Sequence, residues 1–174
     1  MHDGSFRGIF PSMAFDVIAF DADDTLWHNE PLYSSTQEKF ISMMTILMDP
    51  TDGAISFCNA GHNPPILLNP GRDPVYLEAG GMLLGVFEEQ NYIQGTGRIE
   101  KGGTLICYTD GVTEARNDQD TEFGVEKLLE FVNENHDVPA PLLPEAIIAH
   151  IREKWLGTDQ EDDWTLLVIK RSSG

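Results

Sequence analysis

Three clusters of aspartate stand at the ends of apolar, strand-like runs in this chain. Asp21, Asp23 and Asp24 close the stretch FDVIAFDADDT at 15–25. Asp110, followed by Gly111, ends a second strand read within TLICYTDGVTE at 104–114, and Asp162 and Asp163 stand just before a third strand, WTLLVIK. A carboxylate at a strand end is held by the sheet while its tip reaches solvent. Such a group can coordinate a hard dication or attack phosphorus as a nucleophile. His62 in NAGHNPP is a further candidate acid/base group, but the Asn-Pro-Pro after it reads as a rigid turn and favours a structural role. Cys58 and Cys107 lie inside the apolar runs SFCNA and LICYT, where a thiol serves as a small buried hydrophobe.

Positioning these carboxylates requires elements of two kinds. AFDVIAF is almost wholly apolar and suits a strand, and Ser35 with Glu38 has the spacing of a capping box that opens a short helix. From residue 40 onward the pattern is antiparallel. MMTILMD and AISFCNA flank PTDG as a hairpin, PILLN and PVYLEA flank PGRD, and NYIQGTGRIE leads through KGG into TLICYTDG as a continuing meander. GVEKLLEFVNENH and PEAIIAHIREKWLG carry apolar residues at helical spacing, predicting helices near 124–135 and 143–156.

At 174 residues the chain is long enough for a core without disulfide staples. Its 29 acidic against 11 basic residues give a net charge of −18, which repels nucleic acid and anionic membranes. No apolar run reaches the length of a membrane span, so a soluble protein of the reducing cytoplasm is expected. The opening residues 1–12 lack periodicity and read as a leader or a cloning remnant outside the fold.

From about Phe40 to Arg171 the chain resembles the metal-dependent serine/threonine phosphatase (PPM) domain of the bacterial SpoIIE/RsbU group. NAGHNPP at 59–65, GMLLGVF at 81–87, KGGTLICYTDGVTEARN at 101–117, FGVEKL at 123–128 and DDWTLLVIK at 162–170 carry the resemblance, in order and at matching spacing. It implies an α+β fold, an antiparallel β-sandwich with flanking helices, and two Mn²⁺ or Mg²⁺ ions that activate water for attack on a phosphoserine or phosphothreonine of a phosphoprotein substrate. It places Asp110 and Asp162 at metal-ligand positions, with Asp163 in reserve. The Gly-Asp-x-x-Asp strand and the Asp-x-x-Gly-His-Gly turn with which such domains begin are missing, so the domain reads as truncated and its metal site as partial.

Residues 13–40 instead resemble the first strand and helix of haloacid-dehalogenase-like (HAD) hydrolases. Asp21-Ala22-Asp23-Asp24-Thr25 matches their DxDxT motif, which implies Asp21 as nucleophile and Asp23 as acid/base. The partners which that chemistry needs have no alternating strand–helix series to hold them. The reading is therefore a chimera: a grafted strand–helix segment at 13–40 joined near Gln37–Ile41 to a partial phosphatase domain at 41–172, forming one folded unit. Strand 15–21 is expected to pair into the sandwich, in this chain or in a strand-swapped homo-oligomer. Three functions follow: an impaired PPM-like protein phosphatase, a HAD-like small-molecule phosphatase using Asp21, and a non-catalytic folded chimera.

Overall fold

The aspartates of the first hairpin turn act on their own backbone. Asp49 Oδ1 accepts the Thr51 N–H at 2.8 Å and the Thr51 hydroxyl at 2.6 Å, and Asp52 Oδ1 accepts the Ala54 N–H at 2.8 Å. The Thr51 hydroxyl, followed by the Thr51 N–H, holds the Asp49 carboxyl below its usual range. Gly53 takes φ +76°, a conformation that side-chain-bearing residues rarely adopt. The turn joins β2 (Met43–Met48) to β3 (Ala54–Ala60), with Met43 opposite Ala60 and Ile46 opposite Phe57. Met44, Ile46, Ile55 and Phe57 point inward and are buried.

The computed structural model describes residues 16–20, 41–155 and 164–173. Two sheets face each other in an α+β sandwich. The first runs β1 (Asp16–Phe20), β2, β3, β6 (Gly80–Gly81), with β7 (Gly95–Arg98) also on β3. The second runs β5 (Val75–Tyr76), β4 (Ile66–Leu68), β8 (Thr104–Tyr108), β9 (Leu166–Lys170). Three helical segments follow β8: the single turn α1 (Asp110–Thr113), then α2 (Gly124–Glu134) and α3 (Leu143–Lys154).

The two hairpins and two amphipathic helices fall where periodicity places them, and β1 pairs antiparallel with β2 in the same chain. Ser35–Phe40 lies outside the described residues. Two expectations change. The meander breaks at Glu100–Gly103: β7 pairs with β3 in one sheet while β8 enters the other, so the chain crosses the sandwich there. The strand read as ending at Asp110-Gly111 ends at Tyr108, because the backbone turns helical at Asp110.

All of β8 is buried, and its two faces serve two cores. Leu105 and Cys107 pack with Met44, Ile46, Ile55, Phe57 and Leu67 between the sheets. Ile106 and Tyr108 pack with Val112, Leu128, Val132, Ile147 and Ile151 beneath the helices. This burial pushes the Cys107 thiol and the Tyr108 hydroxyl each up to about 12. The unfolded chain ionises them near 9.0 and 10.0, so their neutral folded forms favour folding below that range and the advantage fades as pH rises towards about 12. The free energy of unfolding should therefore fall with pH above about 9, less steeply in Cys107→Ala, as urea titrations across pH 7–11 can establish.

β6 lies close against β3: a Cβ built on Gly80 would sit 1.7 Å from the Asn59 carbonyl oxygen. Gly80→Ala should cost about 3 kcal/mol in urea unfolding, since backbone rather than a flexible side chain must move.

Candidate active site

Antiparallel pairing gathers chain ends at one rim of the sandwich. Because Met43 is opposite Ala60, the residues before β2 and after β3 meet there. Because Tyr108 is opposite Leu166, so do the residues after β8 and before β9. Ser42, Gly61, His62, Asn63, Thr109 and Asp110 line a pocket of about 60 Å³ at this rim. Both sheets contribute to it.

Each wall has its own fastening. Asn59, buried at the end of β3, accepts the His62 N–H through Oδ1 at 2.8 Å and donates through Nδ2 to the His62 carbonyl at 2.8 Å. The amide thus closes the turn that presents Gly61, His62 and Asn63. On the opposite wall the Thr109 N–H donates to the Thr165 carbonyl at 3.1 Å, and the Thr109 hydroxyl accepts the Thr165 N–H at 3.0 Å. Those two bonds extend the β8–β9 ladder by one residue and fix where Asp110 begins. The Asp110 carbonyl then accepts the Glu114 N–H at 2.7 Å, and its Oδ1 accepts the Gly111 N–H at 2.8 Å. The carboxylate is exposed and oriented towards the rim by its own backbone.

Asp110 stands in the pocket, whose described lining residues include no Lys or Arg. Asp162 and Asp163 lie outside the described residues, as do Asp21 and Asp23. The described neighbours of all three clusters nevertheless share this rim: Phe20 is opposite Met44, two residues from Ser42, and Thr165 is bonded to Thr109. His62 is buried with its backbone clamped by Asn59, in keeping with a structural role, and it also lines the pocket. Ser42, Asn63 and Thr109 were not singled out from sequence. NAGHNPP and YTDG held the signal for the last two, while nothing local marks Ser42. Among the described residues no three His, Cys, Asp or Glu side chains come together as a metal site. A dication of the Mn²⁺ or Mg²⁺ type takes about six oxygen ligands, of which Asp110 offers a hard carboxylate oxygen of the right kind.

The class is an α+β sandwich domain with a carboxylate at one rim. The chain belongs to the stage II sporulation protein E (SpoIIE) family, whose model matches residues 22–172. That match takes in most of the segment compared above with dehalogenases. Among curated proteins the chain is 30% identical over 147 residues to Protein IcfG of a Synechocystis species, covering 80% of this chain and 23% of the relative. It is 27% identical over 136 residues to the phosphoserine phosphatase RsbU of Bacillus subtilis, covering 76% of this chain and 39% of the relative. The chain therefore spans well under half of either relative. Among solved structures, the SiaA-PP2C domain of Pseudomonas aeruginosa superposes with a TM-score of 0.63 at 20% identity, over 76% of this chain and 52% of that one. The RsbU and RsbW domains of Rv1364c from Mycobacterium tuberculosis give 0.58 at 24% identity, over 78% and 37%. These two likenesses establish the fold.

Replacing Asn59 strips the 61–63 turn of its clamp and leaves the buried His62 backbone without that partner. Asn59→Ala should lower stability by about 2 kcal/mol in chemical denaturation, with the amide signals of residues 61–63 shifting most.

Proposed function

We propose that this domain is a PPM-like, metal-dependent phosphatase acting on phosphoserine or phosphothreonine in a phosphoprotein, with Asp110 as a metal ligand. The observation that carries this reading is Asp110 held at the end of a fully buried strand, in a pocket with no Lys or Arg among its described lining residues. A phosphate dianion brought beside Asp110 needs a cation to balance both charges. Mn²⁺ or Mg²⁺ held by Asp110, with Asp162 and Asp163 as further ligands, fits that need and, when bound, lowers the pKa of a coordinated water. The chain's own groups do the rest. Thr109 fixes the start of the Asp110 turn through Thr165, the Gly111 N–H orients the carboxylate, and Ser42 and Asn63 offer polar groups within the same pocket. The RsbU relative, described as a phosphoserine phosphatase, supports the substrate class.

The HAD-like reading through Asp21 and Asp23 is not favoured. β1 pairs antiparallel with β2 at a sheet edge, and the one parallel pairing among the described residues is the two-residue contact of β3 with β6. A dehalogenase-like strand instead sits inside a parallel sheet.

Mn²⁺-stimulated hydrolysis of p-nitrophenyl phosphate should fall at least about a hundredfold in Asp110→Asn. Calorimetric titration should show weak Mn²⁺ binding by the wild type and weaker binding by the variant. Binding unaltered by the substitution would make Asp110 an ordinary turn residue. Loss of activity in Asp21→Asn with Asp110→Asn fully active would restore the dehalogenase reading.

A further inference from the structure

Three of the large apolar side chains that face water lie in the single connection between β6 and β7. Met82 is 52% exposed, Phe87 61% and Ile93 68%. A concentration of uncovered apolar groups on a soluble surface marks an interaction site rather than chance. This connection is also fastened to the pocket. The Leu84 N–H donates to the Ile41 carbonyl at 2.9 Å and the Ile41 N–H to the Leu84 carbonyl at 3.0 Å, next to Ser42. Leu83 lies against Gly61, and the Ile93 N–H donates to the Gly80 carbonyl at 3.0 Å. The strip is therefore tied at Leu83 and Leu84 to residues that line or adjoin the pocket, and at Ile93 to β6.

Charge identifies its occupant. Glu88 and Glu89 directly follow Phe87, both exposed, on a chain of net charge −18. A second copy of the chain would bring the same acidic pair and the same excess negative charge against itself, which disfavours self-association through this strip. A segment with apolar and cationic side chains meets both features. We propose that Met82, Phe87 and Ile93, with Glu88 and Glu89, dock the phosphoprotein substrate beside its phosphorylated residue and select for apolar and basic side chains in its flanking sequence. This rests on the phosphatase reading for the identity of the substrate, while the strip itself can be tested by binding alone.

The probes are two fluorescein-labelled phosphoserine peptides, one flanked by Leu and Arg, the other by Gly and Ser, followed by anisotropy in EDTA so that no turnover occurs. The Leu/Arg peptide should bind the wild type at least about tenfold more tightly. Phe87→Ser/Ile93→Ser should abolish that preference with an unchanged melting curve, since both side chains are exposed, and Phe87→Leu should retain it. Glu88→Gln/Glu89→Gln should flatten the salt dependence of binding. Equal binding of the two peptides to the wild type, or undiminished preference in Phe87→Ser/Ile93→Ser, overturns the proposal. Peptide preference without any Mn²⁺-stimulated aryl phosphate hydrolysis by the wild type would sink the catalytic reading and leave the docking strip standing.

Discussion

The two-sided burial of β8 is the constraint on which the other elements depend. A five-residue strand whose every side chain is buried needs a neighbour on each edge and a layer on each face. β4 and β9 supply the edges, the first sheet one face, and α2 and α3 the other. Only with all four in place is the backbone at Thr109 fixed, and Asp110 inherits that fixity through a single peptide bond. A carboxylate on a mobile loop would lose most of the advantage of position, which is worth several kcal/mol in a reaction that depends on alignment.

The opposite wall of the pocket is built on a different principle. Its residues belong to a turn closed by a buried amide, and the strand beneath approaches so near that only glycine fits at position 80. One wall is held by layered packing, the other by hydrogen bonds and backbone proximity. The walls meet through Ser42 and the Ile41–Leu84 pair of bonds, so movement of the 80–94 connection and the shape of the pocket are mechanically linked.

What could be read from sequence follows from how local each determinant is. The first hairpin was legible because Asp49, Thr51, Asp52 and Gly53 form their turn among themselves. The helices were legible because the alternation of buried and exposed faces lies within each segment. The partner of β7 was not, since GTGR has few side chains to carry a pattern and pairs with a strand far earlier in the chain. Asp110 was legible through the resemblance carried by YTDG. Ser42 was not, because its place in the pocket is a property of β2 and β3 register, which no local motif encodes. The sandwich itself was implied by the family resemblance, whereas the crossing at Glu100–Gly103 depended on which sheet could bury both faces of TLICY.

Arg171 gives this architecture a temporal consequence. Its guanidinium donates to the Ile99 carbonyl at 3.0 Å and to the Thr51 carbonyl at 3.1 Å, tying the strand at the end of the described chain to the hairpin turn near its start. β9 also covers the second edge of β8. On a ribosome, the first hairpin and the paired helices can form as they emerge, but the second sheet remains one strand short until Leu166–Lys170 has been synthesised. Until then β8 presents an open, apolar edge to solvent or to another nascent chain. The second sheet can close only after α2 and α3 have been made, because β9 follows them in the chain.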